Sequence, residues 1–154
     1  MPEGTEARLS RLGLLLTVPP PVGGNYLPAK SIDRIVYLAG VISADSTGVI
    51  TGTVGADRSI EEGYGAARCC ALTQLAVLKQ HLGSLDRIKQ IISINGYVNA
   101  IAGFADSPKV INGASDVLVE LLGEAGRHVR AAIGVSALPR NALVELQMTI
   151  EREA

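Results

Sequence analysis

The chain has 154 residues, with 14 Lys and Arg against 15 Asp and Glu, 47% hydrophobic residues and 3% aromatic ones. That length suits one domain able to bury an aliphatic core of its own. Near-neutral charge, the lack of long basic runs and the few rings for base stacking argue against a nucleic-acid partner, whose binding is driven by phosphate neutralisation.

The first ten residues carry Glu3, Glu6 and Arg8 and no apolar signal core. Residues 5–13 predict a short helix, with Leu9 and Leu12 on one side and Gly13 as its stop. The apolar run Gly13–Val18 is too short to span a bilayer, so no membrane partner is expected. Pro19-Pro20-Pro21 forces an extended segment, followed by Gly23-Gly24. Residues 1–22 therefore read as an N-terminal arm packed on a domain of residues 23–154. Within that domain, residues 25–30 are expected to be extended, and Arg34–Ala39 is a clearer strand. Asp45–Gly48 reads as a turn, after which Gly52–Val54 returns as a strand.

Ser59-Ile60-Glu61-Glu62 fits a capping box, in which the serine oxygen accepts a first-turn N–H while Glu62 reaches back. The helix it opens carries Ile60, Tyr64, Ala67, Ala71, Leu75, Leu78 and Leu82 at helical spacing, and Gly83 terminates it. Cys69 and Cys70 are adjacent on this helix and point about 100° apart, so no bridge between them is expected. Two buried thiols suit a reducing compartment, which makes the cytoplasm the expected location. Ile88–Val98 is a β-branched run with partial alternation. Ser107 as N-cap and Pro108 in the first turn open a second helix, with Ile111, Ala114, Leu118 and Leu121 on one stripe and Gly123 past its end. Strands over 129–136 and 143–150, read as neighbours joined at Leu138-Pro139, finish the domain. The element order implies an α+β sheet with two helices on one face, and the excess of apolar residues is easiest to bury in an oligomer.

Alternation places Arg130, Ala132, Gly134 and Ser136 on one face, and Glu145, Gln147 and Thr149 opposite Val144, Leu146, Met148 and Ile150. Both polar faces are expected to look away from the helices. An arginine fork matches a carboxylate bidentately, and a nearby glutamate can orient or deprotonate a water. On spacing alone, an exposed Arg130–Glu145 cross-strand pair worth well under about 1 kcal/mol is the simpler account. His81 and His128 are far apart, with no ligand-spaced cysteine or carboxylate, so no metal site is expected. His81 near a helix end fits a dipole contact, and Asn112 reads as a solvent-facing amide. Gly48–Gly52 lacks the lysine and following helix of a phosphate loop.

The closing segment resembles the Rid (reactive intermediate deaminase, YjgF-type) family. Its signature has an arginine one strand-length before Leu-Pro and an acidic residue in the last strand, here Arg130, Leu138-Pro139 and Glu145. Upstream, Gly24-Asn25-Tyr26 is similar to the family's Gly-Pro-Tyr, Ala39-Gly40 to its Ser-Gly-Gln stretch, and Val110-Ile111-Asn112 to its helical Val-Asn. The resemblance implies a chorismate-mutase-like α+β fold and a homotrimer with clefts between subunits. It implies hydrolysis of enamine or imine intermediates to a 2-oxo acid and ammonia, with a small carboxylate as substrate and no cofactor. By position, Arg130 would hold the substrate carboxylate and Glu145 would position the attacking water. Tyr26 would close the cleft, and Ala39 and Asn112 would line it. Ala39-Gly40-Val41 lacks the hydroxyl and amide common there, and Ala131-Ala132 replaces polar or thiol residues, which implies a more apolar or larger ligand. Two other readings stand beside this one. The first is a non-catalytic trimer that binds a small carboxylate or serves regulation. The second is a ribonuclease, disfavoured by the charge balance and the absence of a histidine pair.

Overall fold

Four alternate residues of the closing strand, Val144, Leu146, Met148 and Ile150, are fully buried and decide which side of the sheet is covered. Each contributes on the order of 2 kcal/mol by leaving water. The computed structural model describes residues 2–154. In chain order the elements are α1 (Thr5–Arg11), β1 (Ala29–Ile32), β2 (Ile35–Leu38), β3 (Val41–Ile42), β4 (Ala44–Asp45), β5 (Gly48–Val49) and α2 (Ile60–Leu82). Then follow β6 (Ile88–Asn99), α3 (Ser107–Leu122), β7 (Val129–Val135) and β8 (Val144–Arg152). The main sheet has the order β1-β2-β8-β6-β7, with β3 pairing β8 beyond the end of β2, while β4 and β5 form a separate hairpin. β7 runs parallel to β6, as a crossover through α3 requires, and the other pairs are antiparallel.

The two long helices cover one face, giving the expected α+β layering. α2 begins at the capping box read from the sequence: Glu62 N–H donates to Ser59 Oγ at 3.0 Å, and Ser59 N–H donates to Glu62 Oε1 at 3.1 Å. It ends at Gly83 in the left-handed region. α3 crosses close to it because residue 113 is glycine; a Cβ there would collide with the carbonyl of Tyr64. α3 starts one residue earlier than expected: Asp106 is its N-cap and Ser107 lies inside the helix, with its hydroxyl buried and unpartnered.

The N-terminal residues are tied to the domain by α1. Glu6 N–H donates to Asp86 Oδ1 at 2.9 Å, while the Glu6 carboxylate accepts from Leu85 N–H and Lys79 Nζ. Leu9 and Leu14 enter the core.

The sheet corrects several expectations. β7 and β8 are not neighbours, because β6 lies between them and pairs with both. β8 carries large buried residues along its whole length and takes an interior place, whereas β7, which turns Arg130, Ala132 and Gly134 toward the helices, lies at the edge. An Arg130–Glu145 cross-strand pair therefore does not exist. The face of β7 is also reversed. Arg130 is registered with Ile94, and Ala132 with Gly96. Ile94 is buried under the helices and Gly96 lies against Ile111 of α3, so Arg130 is on the helix side. Val129 and Ile133, set opposite Arg130 by alternation and therefore expected under the helices, are 71% and 50% exposed on the open face. Gly52–Val54 makes only isolated bridges, from Val54 to Arg58 and to Ala100, because the returning strand is β5 instead. Of the two thiols, Cys70 is buried and Cys69 only partly so, and burial pushes both upward in pKa.

Candidate functional site

The site begins where two strands share one partner. β2 leaves β8 after pairing Tyr37 with Thr149, and β3 rejoins it at Val41 opposite Leu146. The intervening bulge takes backbone carbonyls out of the ladder, and two amide side chains satisfy them. Gln74 of α2, fully buried, donates through Nε2 to the carbonyls of Ala39 (2.9 Å) and Leu146 (2.8 Å). Gln147 donates from the opposite face to the carbonyl of Leu38 at 3.0 Å. The bulge brings residue 40 against Glu145, where a Cβ would meet Oε2 at 2.6 Å, so only glycine leaves the carboxylate its place.

A cleft of about 630 Å³ opens over this bulge. Tyr26, Ala39, Gly40, Val41 and Glu145 line it, together with Arg140, Pro20, Pro21 and Val22. Glu145 has no ion pair or hydrogen-bonded partner among the described residues, and burial pushes its carboxyl above the ordinary range. A carboxylate held this way is a stronger base than a solvated one. Arg140 was not singled out in the sequence, where it is only a residue after Leu-Pro. It adopts φ 56° and its neighbour Asn141 φ 57°, a left-handed pair held by Gly52 N–H donating to the Asn141 carbonyl and by Asn99 Nδ2 donating to Asn141 Oδ1.

Arg130 lies elsewhere. Its Nη1 donates to Ser115 Oγ at 2.9 Å and its Nη2 to the Pro108 carbonyl at 3.2 Å, both on α3. Asn112 stands on the same helix between those two acceptors, exposed and without a hydrogen-bonded partner among the described residues. Glu145 is two strands away and three residues further along, roughly 10 Å in each direction, and on the opposite face. The fold thus brings Tyr26, Ala39 and Glu145 together, places Arg130 with Asn112, and keeps the two groups apart within one protomer. His81 hydrogen-bonds Ser31 of β1 at 2.7 Å, a side-chain contact the dipole reading did not anticipate. Among the described residues no three His, Cys, Asp or Glu side chains gather as a metal site, and no helix is long and apolar enough to cross a membrane.

Comparisons with known proteins bear on the family and the fold. A family model described as "YjgF/chorismate_mutase-like, putative endoribonuclease" matches residues 6–151. Protein TCP17 of Trypanosoma cruzi is 37% identical over 147 residues, covering 94% of this chain and 92% of that protein. The crystal structure of Atu1372 from Agrobacterium tumefaciens, a protein of unknown function, superposes with a TM-score of 0.88 at 38% identity, covering 97% of this chain and 92% of that one. A Shewanella oneidensis structure named as a putative endoribonuclease gives 0.91 at 36% identity, covering 97% and 99%. RidA from Psychrobacter shares the fold at 23% identity, with a TM-score of 0.58 over 86% of this chain and 93% of that one. With the arginine, the Leu-Pro turn and the acidic residue of the last strand set in this fold, the chain belongs to the YjgF-type Rid family.

Proposed function

We propose that the protein is an enamine/imine deaminase whose site is completed between the subunits of a homotrimer. The observation that carries this reading is the division of the site. One part of the protomer presents an unpaired, burial-raised carboxylate in an open cleft, and the opposite edge presents a guanidinium with unused donors. A neighbouring copy that sets its β7 edge over the cleft would join them. The open sheet face supports such an assembly, because Ile32, Tyr37, Val129 and Ile133 are each at least half exposed there.

In the proposed reaction, Arg130 binds the substrate carboxylate and sets the adjacent iminium carbon above Glu145. Glu145 takes a proton from water as the oxygen bonds to that carbon, and the C=N pair moves to nitrogen. The proton then passes to the nitrogen of the carbinolamine. The C–N bond breaks, ammonia leaves, and the oxygen loses its proton to give the 2-oxo acid. The iminium is already electrophilic, so orientation of substrate and water carries the rate, and no cofactor enters these steps. Tyr26 closes the cleft, while Ala39 and Asn112 line it. The reaction belongs in the cytoplasm, where free thiols persist.

The experiment couples a threonine dehydratase to the protein and follows 2-oxobutanoate release. Wild type accelerates release, and Arg130→Ala reduces the acceleration by about a hundredfold, the worth of a charge-assisted bidentate contact. Equal acceleration by the variant would sink the mechanism. Elution as a monomer in size-exclusion chromatography would remove the shared site.

A second reading, a trimeric carboxylate-binding or regulatory protein without turnover, is supported by the apolar lining at Ala39 and Val41. Saturable binding of 2-oxobutanoate with no acceleration of release would favour it. The name endoribonuclease attached to some relatives gains little support here. His81 lies beside β1 and His128 beside β7, at opposite edges of the sheet, so no histidine pair is assembled within the protomer.

A further inference from the structure

Three side chains at the β7 edge form a chain of hydrogen bonds that neither the signature residues nor the cleft accounts for. His128 Nδ1 lies 2.7 Å from the Gly126 carbonyl, and its Nε2 lies 2.9 Å from Ser115 Oγ. The same Oγ lies 2.9 Å from Arg130 Nη1. A carbonyl only accepts, so Nδ1 carries the hydrogen, and Nε2 of the neutral ring is left as an acceptor. Ser115 then donates its hydroxyl hydrogen to Nε2, and its lone pairs face the guanidinium. With the ring neutral, the direction of every bond follows from that one backbone carbonyl. His128 and Ser115 are only partly exposed, so little water competes for these partners.

A free arginine samples many rotamers, and ordering it at the moment of binding weakens affinity. Here Ser115 takes one N–H and the Pro108 carbonyl a second, both from α3. Three of the five guanidinium donors remain, which is enough for a bidentate grip on a carboxylate.

We propose that Ser115 and His128 are positioning residues. In this reading the Gly126–His128–Ser115 relay holds the Arg130 fork in one orientation, so that its remaining donors meet the substrate carboxylate already aligned. Neither residue touches the substrate. The inference rests on the reading of Arg130 as the carboxylate anchor, and its test separates the two.

The probe is 2-oxobutanoate, titrated by calorimetry against the full-length protein, with a thermal melt of each variant as the control for folding. Ser115→Ala and His128→Ala weaken binding about tenfold each, the scale of a lost hydrogen bond to a charged group. Ser115→Thr keeps the hydroxyl, and His128→Gln offers an amide oxygen in place of Nε2; both restore most of the affinity. Ser115→Ala added to Arg130→Ala causes no further loss, because the relay acts only through the guanidinium. If Arg130→Ala binds as tightly as wild type, the anchor reading falls and the relay with it. If Arg130→Ala loses binding while folded Ser115→Ala and His128→Ala bind like wild type, the relay alone is overturned. Failure of Ser115→Thr and His128→Gln to rescue, in proteins that melt like wild type, overturns it as well.

Discussion

Around Glu145 the chain leaves a carboxylate without an ion pair among the described residues, in a cleft walled by Ala39, Val41 and proline, whereas at β7 it ties a guanidinium to two acceptors on α3. The first arrangement raises the energy of the charged form and keeps the group reactive. The second keeps a permanent cation still. A base benefits from poor solvation because its pKa rises toward the working pH, and an anchor benefits from fixed geometry because less ordering remains for binding. The same sheet carries both, Glu145 on its open face and Arg130 on its helix face; in the proposed reaction the first serves chemistry and the second recognition.

The contrast is broken most severely by Glu145→Gln, which keeps the shape and removes the base; deaminase turnover is expected to fall between about 10² and 10⁴-fold. In wild type the acid limb of the rate profile lies above the ordinary glutamate range, since burial raises the carboxyl and only its ionised form takes the proton. The sign for stability is opposite. A carboxyl raised on folding binds its proton more tightly in the native state, so its contribution is present at low pH and lost as pH rises through the folded value. Glu145→Gln therefore melts no lower than wild type at neutral pH, measured by calorimetry.

A smaller effect comes from the support beneath the cleft. Gln74→Ala removes both donors to the Ala39 and Leu146 carbonyls in a fully buried setting. A loss of about 2–3 kcal/mol in denaturant unfolding is expected, with probe binding at the β7 edge weakened far less than turnover. Ser59→Ala sharpens the comparison from outside both regions. It deletes the cap of α2 for about 1 kcal/mol of stability and leaves turnover at the wild-type rate.

Elements specified by near neighbours were legible in the sequence. The Ser59–Glu62 box and Gly83 bound α2, and the alternation of Val144 through Ile150 marks the covered side of β8. The cap of α3 was missed by one residue, since Ser107 carries a capping side chain but Asp106 takes the position. Tyr26 and Ala39 were picked out through resemblance to family motifs and Glu145 by alternation as well, and the cleft gathers all three. Arg140 gave little signal, because a surface arginine looks ordinary until the opposing chain is known; Gly40 was marked by the family motif, but its contact with Glu145 was not. For β7 the hydrophobic pattern misled: Val129 and Ile133 read as a core stripe, yet they face outward and Arg130 faces the helices.

The helices and most strands were thus written in spacing, since period and capping depend on residues a few positions apart, whereas the site residues were picked out by resemblance to family motifs. Which strand lies between β7 and β8, and so which side of the sheet Arg130 occupies, depended on pairing across the whole chain. β6 can hydrogen-bond on both edges, and α2 and α3 can cover only one face. Those contacts form only when the domain closes, and they keep Arg130 and Glu145 of one chain apart.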